Sequence, residues 1–239
     1  MKEGKGTQVS RRNFLKLSGM TAAGAAGVLG GGLSGILSGP REVFAKEELK
    51  VGTSANKMLF LTYTPRSDSE ERGYGPWLRK VDNPFFNSVP GIAHYTNWKV
   101  IKGGEDVINW TYFDFLRLED GVTLETVWGN EDLTKFAAGW AKLWGREPDA
   151  ADMAVNYQVH MTNLSKPGSM ETAQLIAVVM SPDPAALPVN AALFTVEKNI
   201  LGKAVDGQIA VVGLELAKGE YSPSWGKHII IAECVASPN

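Results

Sequence analysis

The fold is decided by the segment Met58-Leu59-Phe60-Leu61-Thr62-Tyr63-Thr64-Pro65, an apolar run that a proline closes. Such a run predicts a buried β-strand, because proline cannot continue the hydrogen-bonded ladder of a sheet. A segment of the same character, Leu175-Ile176-Ala177-Val178-Val179-Met180-Ser181-Pro182, follows 117 positions later. The two segments together predict two copies of one supersecondary unit.

Other landmarks recur in the same order. Gly91-Ile92-Ala93 is followed 117 positions later by Gln208-Ile209-Ala210, and Trp110 is followed 115 positions later by Trp225. Since the order is kept and the offset drifts by only two residues, the sequence predicts an internal repeat.

The first copy has a complete pattern of alternating strands and helices. Apolar periodicity predicts strands at 58–64, 92–101, 110–118 and 155–161, and helices at 69–87 and 131–144. The resulting order, βαββαβ, is that of a ferredoxin-like unit.

The second copy is shorter. It predicts strands at 174–180, 208–216 and 228–235 and a helix at 191–201, which gives βαββ. The expected fold class is therefore α+β: tandem ferredoxin-like units whose antiparallel sheets close an α/β barrel. The expected domains are a first unit at 46–163 and a second, truncated unit at 164–239, after an N-terminal segment at 1–45.

That N-terminal segment has the features of an export signal. Ser10-Arg11-Arg12-Asn13-Phe14-Leu15-Lys16 matches the twin-arginine pattern, and a weakly apolar run, 17–38, follows it. Val43-Phe44-Ala45 is a small-x-small site that predicts cleavage after Ala45. The sequence thus predicts a periplasmic or extracellular protein that the twin-arginine translocase handles during export. The alternative is that the segment is retained as an anchor.

Charge and cysteine content exclude several classes of function. The full chain has 24 basic and 26 acidic residues, and 18 basic and 24 acidic residues remain once residues 1–45 are removed. This acidic balance argues against nucleic-acid binding. Cys234 is the only cysteine, so no intramolecular disulfide, haem c attachment or cysteine-ligated iron–sulfur centre can form.

One stretch resembles a known family. In Trp77-Leu78-Arg79-Lys80-Val81-Asp82-Asn83-Pro84-Phe85-Phe86 an aromatic-rich helix ends near a proline, and Val89-Pro90-Gly91-Ile92-Ala93-His94-Tyr95 leads into a strand that bears a tyrosine. This pattern, over 56–163, resembles the EthD-type branch of the dimeric α/β-barrel superfamily. Asp82 stands where that family usually carries a histidine.

The resemblance implies a small-molecule pocket between a helix-backed sheet and its barrel partner. The superfamily includes cofactor-free monooxygenases, lyases and isomerases as well as haem enzymes, and many members dimerise to close the barrel. A tandem chain could close the barrel within itself, so both a monomer and a homodimer stay open. The fold alone does not choose the chemistry.

His94, Asp82 and Tyr95 are the candidate catalytic residues. His94 shares one strand face with Thr96 and Trp98, and a neutral imidazole there could transfer a proton near neutral pH. Asp82 could act as a general base if burial raised its pKa. The alternatives are a structural histidine, and a carboxylate that pairs with a neighbouring basic residue. Tyr95 could donate a hydrogen bond to a bound oxygen, or pack in the core.

The candidate substrate-binding residues are Tyr63, Trp98, Trp77 and His160. Core packing accounts for the aromatic residues equally well, and solvent exposure accounts equally well for His160. The three histidines show no metal-ligand spacing, so no metal and no cofactor are predicted. A haem held by one proximal histidine stays open, because a single axial ligand leaves no motif.

The expected function is that of an exported α/β-barrel protein that binds a small, largely apolar molecule. Cofactor-free oxygenase, lyase and isomerase chemistry are the options if the protein is an enzyme. The alternative is a non-catalytic accessory or binding subunit, exported together with a periplasmic redox enzyme. The sequence leaves open whether the protein is an enzyme at all.

Overall fold

The structure, a computed structural model, describes residues 57–103, 108–150, 152–166, 168, 170, 172–203, 205, 207–214 and 220–238. Eight strands occur among these residues: β1 Lys57–Tyr63, β2 Ile92–Lys102, β3 Tyr112–Leu118, β4 Tyr157–Lys166, β5 Leu175–Pro182, β6 Ala192–Leu201, β7 Gln208–Gly213 and β8 Gly226–Ala236. They form one closed barrel in the order β1-β3-β2-β8-β5-β7-β6-β4. Every neighbouring pair is antiparallel, and closure leaves no free sheet edge.

The α- and π-helices among the described residues lie in the first half, and two short 3-10 helices follow at Met153–Val155 and Pro223–Trp225. Between β1 and β2 run α1 (Tyr74–Trp77), a π-helical segment (Leu78–Asp82) and α2 (Asn83–Phe86). Between β3 and β4 lie α3 (Leu124–Trp128) and α4 (Glu131–Trp144). None of the described helices is both long enough and apolar enough to cross a bilayer.

Helix α4 begins where the sequence predicts. The side chain of Asn130 caps it by accepting hydrogen bonds from the backbone N–H groups of Asp132, at 2.9 Å, and Leu133, at 3.2 Å. Leu133, Ala141 and Trp144 lie on the buried face of this helix. The predicted helix at 131–144 is confirmed.

Strand β1 separates two cores by simple alternation. Met58 and Phe60 belong to the core inside the barrel, whereas Leu59, Leu61 and Tyr63 belong to the core between the barrel wall and the helices. Both faces of the strand are therefore buried, which explains why its sequence is apolar throughout.

Aromatic rings fill the barrel interior on this side. The Phe60 ring has its centroid 5.7 Å from that of Trp110, 5.5 Å from Phe113 and 5.4 Å from Phe115. The interior is thus a packed core, and the candidate site lies outside the barrel wall.

The predicted α/β barrel of tandem ferredoxin-like units is wrong. Residues 192–201, where a helix is predicted, form strand β6, which pairs with β4 and β7. Ala191 and the first three residues of the strand, Ala192-Leu193-Phe194, are all buried and fit either period, and long-range pairing decides in favour of the strand. With α-helices in only one half of the described chain, the fold is mainly β: an eight-stranded antiparallel barrel.

The barrel is also not of the EthD type. The repeat predicted from the sequence aligns strands that come at different places in the chain order of their two halves. Each half contributes four neighbouring strands, β4-β1-β3-β2 and β8-β5-β7-β6. The landmark at 91–93 leads into β2, the second strand of its half, but the landmark at 208–210 opens β7, the third strand of the other half. Of the strands that the 117-residue offset aligns, only β1 and β5 hold the same place in their halves, as the first strand of each.

The sequence predicts two domain boundaries, one after Ala45 and one after residue 163. The position between residues 163 and 164 falls within strand β4. The export signal at 1–45, with its cleavage position after Ala45, lies outside the described residues.

Candidate functional site

A small cavity lies between the outer face of the barrel and the helices of the first half. Its volume is about 50 Å³. Its lining consists of Leu61, Tyr63, Asp82, Phe86, Tyr95, Asp114, Trp128, Phe136, Ala137, Trp140 and Tyr157. Because one water needs about 10–15 Å³ on this scale, the cavity has room for a molecule of a few heavy atoms.

Two carboxylic acids form the polar end of this cavity. Asp82 is the last residue of the π-helical segment, and Asp114 projects from the middle of β3 toward the helices. Only 3% of Asp82 and 4% of Asp114 is exposed. A π-helical turn is rare and is frequent at functional sites, and here it brings a carboxyl group onto the barrel wall.

The Tyr95 hydroxyl joins the two acids. It lies 3.0 Å from Asp82 Oδ2 and 2.8 Å from Asp114 Oδ2. A phenol has one proton and can donate to only one of them, so the second contact is a hydrogen bond only if that carboxyl group is itself protonated. The geometry is therefore that of a pair of acids that shares a proton through a phenol.

An asparagine side chain reinforces the pair. Asn97 Nδ2 lies 2.9 Å from Asp82 Oδ2 and 2.9 Å from Asp114 Oδ1, while Asn97 Oδ1 accepts a hydrogen bond of 3.1 Å from Asn83 Nδ2. The bond from Asn83 fixes the amide orientation, so that the donor end of Asn97 points at the acids.

The end of the helical run is bound to the backbone of β2. Asn83 Nδ2 and Asn87 Nδ2 each donate to the carbonyl oxygen of Tyr95 at 3.0 Å, and Tyr95 N–H donates to Asn87 Oδ1 at 2.9 Å. These bonds fix the position of Asp82 relative to the Tyr95 hydroxyl.

Burial dominates the electrostatics of the cluster. It raises the pKa of Asp82 to about 7, against the opposing effect of the hydrogen bonds from Asn97 and Tyr95. Burial, followed by the charge of Asp82, raises the pKa of Asp114 well above its ordinary value. The two groups titrate as a pair, and the pair retains a proton into the neutral range.

The tyrosines beside the acids are neutral donors. The Tyr63 hydroxyl donates to Asp114 Oδ1 at 3.0 Å. Burial and the nearby carboxyl groups raise the pKa of Tyr63 and of Tyr95 well above 10. Both phenols therefore stay protonated and can donate a hydrogen bond at any physiological pH.

Aromatic rings form the remaining walls. Phe86 stacks on Tyr95 with ring centroids 4.4 Å apart, and the Trp140 ring meets Tyr63 edge to face at 5.3 Å. Trp140 Nε1 donates to the Tyr74 hydroxyl at 3.0 Å, which fixes the indole plane. The walls are thus apolar surfaces held in place by their own contacts.

Three of the predicted site residues line the cavity: Asp82, Tyr95 and Tyr63. His94 does not, because it lies on the opposite face of β2 from Tyr95 and Asn97. That opposite face is the interior of the barrel, where Trp98 is buried.

The remaining predicted residues lie elsewhere. His160 is fully buried in the barrel wall, its Nδ1 2.8 Å from Asn199 Oδ1 and its ring 6.1 Å from Phe60. Trp77 packs among the helices, with its ring stacked on Tyr74 at 6.0 Å.

Two members of the cluster, Asp114 and Asn97, were not predicted from the sequence. Asp114 is the one carboxylate in the apolar strand Tyr112–Leu118, and an acid in such a strand is a signal that could have found it. Asn97 offers no comparable signal, because a single amide in a strand is common.

Among the described lining residues there is neither a histidine nor a cluster of the kind that binds metals. His94 and His160 face away from the cavity and His228 is half-buried on β8. Over the part of the chain that the structure describes, no group of three or more histidine, cysteine, aspartate or glutamate side chains is placed to hold a metal ion.

Comparison with known proteins bears on the N-terminal segment. The family model of the twin-arginine translocation pathway signal sequence matches residues 8–30. No curated protein and no solved structure matches the chain. The protein is therefore exported by the twin-arginine pathway, through the twin-arginine translocase, to the periplasm or beyond.

Proposed function

We propose that this exported barrel protein binds a small, largely apolar molecule in the cavity and transfers a proton to or from it. The observation that carries the proposal is the contact between an aromatic-walled cavity and a pair of buried acids bridged by Tyr95. Buried titratable groups with shifted pKa values beside a cavity are typical of catalytic sites.

The two acids suit acid–base chemistry because they differ in protonation. The ionised member can accept a proton from a bound molecule, and the protonated member can return one. Tyr95 and Tyr63 can donate hydrogen bonds to charge that develops on the molecule. Asp82 and Asp114 are the acid–base residues in this scheme, and no cofactor is needed for the proton transfer.

Proton removal is a step that isomerases, lyases and cofactor-free oxygenases share. An isomerase returns the proton at another atom, and a lyase expels a leaving group after the proton has gone. The enclosed pair, which can both take and return a proton, fits an isomerase or a lyase best.

The test is the binding of isobutanol, a five-heavy-atom probe of the size that the cavity admits. Binding is followed through the indole N–H signals of Trp128 and Trp140 in nitrogen–proton NMR spectra. Ala137→Phe, which fills the cavity from α4, should weaken binding at least about tenfold, equal to about 1.4 kcal/mol. Lys142→Phe adds the same ring at an exposed position of the same helix and serves as the matched control.

Two results would contradict the proposal: the absence of any binding, or binding that Ala137→Phe leaves unchanged. The hydrogen bonds among the acids, Tyr95 and Asn97 would then be structural only. The non-catalytic alternative, an accessory subunit exported beside a redox enzyme, would be favoured in that case.

A further inference from the structure

We propose that the molecule bound in this cavity is a small organic cation, a protonated alkylamine, whose ammonium group lies against Asp82 and Asp114. The inference rests on the proposed function, since it names the ligand class of the same cavity. Two independent observations carry it: the charge of the lining and the chemistry of its walls.

The first observation is an unbalanced charge. Among the described residues that line the cavity, Asp82 and Asp114 are the only ones that ionise in the physiological range, and no lysine, arginine or histidine lines it. The hydroxyls of Tyr63 and Tyr95 and the amide of Asn97, which bond to the acids, are all neutral. A buried carboxylate is stable when a cation pairs with it, and here the ligand can supply that cation.

The second observation is the aromatic character of the walls. Seven of the eleven lining residues are aromatic: Tyr63, Phe86, Tyr95, Trp128, Phe136, Trp140 and Tyr157. The face of an aromatic ring attracts a cation, and an assembly of such rings is the usual recognition site of organic ammonium groups. A purely aliphatic ligand would pack equally well against leucine and valine side chains. Among the described lining residues, Leu61 is the only one of these two types.

The same two features disfavour other ligand classes. A carboxylate or phosphate would be placed beside two acids, with no cationic side chain in the lining to receive it. A neutral alcohol could accept a bond from a tyrosine but would leave the charge of the acid pair unbalanced. A protonated amine satisfies both the acids and the rings.

Binding of the cation changes the proton count of the site. We expect the free pair to hold about one proton near pH 7, and the other titratable groups that face it are Tyr63, Tyr95 and Tyr74. When the ammonium group binds, it neutralises the ionised acid and lowers the pKa of the protonated one, so that part of the shared proton leaves to solvent. Amine binding should therefore release up to one proton near pH 7.

The experiment compares three probes of similar shape on the folded protein near pH 7: isobutylamine, isobutanol and isobutyrate. Affinities are taken from the indole signals of Trp128 and Trp140. We expect the amine to bind at least about tenfold more tightly than the alcohol, and the anion to bind most weakly. Calorimetry in phosphate and in Tris, whose ionisation enthalpies differ, should show proton release for the amine and none for the alcohol.

A substitution tests whether the buried acids cause the preference for the amine over the alcohol. Asp82→Asn should reduce the preference for amine over alcohol to less than about threefold. Asp149→Asn removes an exposed carboxylate elsewhere and should leave the preference unchanged. The comparison of probes on the unmodified protein stands by itself if the variant does not fold.

The possible outcomes separate the two proposals. Isobutanol that binds as well as isobutylamine, with Ala137→Phe abolishing both, overturns the cation inference and leaves the cavity as the binding site. Failure of all three probes to bind overturns both. Tighter binding of the amine without any proton release contradicts a lowered pKa of the protonated acid, and with it the contact of the ammonium group with both acids.

Discussion

The Oδ2 atom of Asp82 lies 3.0 Å from the hydroxyl oxygen of Tyr95, a contact that joins the end of a π-helical segment to the outer face of the barrel. The contact matters because burial raises the pKa of this acid to about 7. In the folded protein, Asp82 therefore keeps its proton at pH values well above those at which the unfolded chain loses it.

Stability should therefore fall as the pH rises from about 4 to about 7. In this window the folded state holds a proton on Asp82 that the unfolded state has lost, so increasing pH favours unfolding. The rise of the pKa from 3.8 to about 7 corresponds to a loss of the order of 4 kcal/mol from this group. The double variant Asp82→Asn/Asp114→Asn removes both acids and should flatten this part of the profile.

Urea unfolding at pH 4.5, 6 and 7.5, followed by tryptophan fluorescence, measures the effect. Asp149→Asn is the control, because that carboxylate is exposed. A double variant with the same slope as the original protein would show that the two acids are ionised at all three pH values.

Tyr95→Phe tests the shared donor. The change removes one hydroxyl that contacts both acids but keeps the ring that stacks on Phe86. We expect the free energy of unfolding to fall by about 1–3 kcal/mol near pH 7, because buried carboxyl oxygens lose a hydrogen-bond partner.

The matched control is Tyr157→Phe. Tyr157 lines the same cavity, and among the described hydrogen bonds none joins its hydroxyl to either acid. Equal losses from the two substitutions, measured by urea unfolding, would rule out a special role for the Tyr95 hydroxyl.

Gly91 is required at the turn before β2. Its φ of +89° lies in the left-handed region, and a Cβ atom there would be 2.9 Å from Val122 Cγ1 and 3.2 Å from Val127 Cγ2. Gly91→Ala should therefore lower the free energy of unfolding by about 1–3 kcal/mol. The measurement is the urea midpoint.

Gly139→Ala gives the opposite expectation in the same protein. Gly139 is exposed on α4, and a Cβ atom there would meet nothing within 4 Å. Alanine should stabilise the helix by up to about 1 kcal/mol. If both substitutions shift the urea midpoint in the same direction, the left-handed backbone and close contacts of Gly91 do not explain the effect of replacing it.

Local signals in the sequence predicted local features well. The apolar periodicity at 131–144 predicted α4, and a proline or glycine bounds β1 and β2. Strand β6 was missed because its first three residues are apolar without a period, and only pairing with β4 and β7 decides its state. The closure of the barrel depends on such long-range pairs, which local patterns do not specify.

The site was predicted only in part, again because local sequence patterns do not specify how distant strands pair. Alternation divides β2 into two faces, one with His94 and one with Tyr95, but it does not say which face meets the helices. His94 was a candidate for proton transfer, but the structure places its face inside the barrel. Asp82 and Tyr95 were named as candidates, but Asp114, 19 positions after Tyr95, joins them only through the register of β2 with β3.

His94→Ala tests which face of β2 carries the ligand. Because His94 lies on the barrel-interior face and is absent from the cavity lining, its removal should change the affinity for isobutylamine and isobutanol by no more than about twofold. Tyr95→Phe, one position along the same strand, should weaken binding of both probes. Circular dichroism of the two variants verifies that each retains the fold. A loss of affinity in His94→Ala as large as that in Ala137→Phe would instead place the ligand inside the barrel, and the roles assigned to Asp82, Tyr95 and Asp114 would then be wrong.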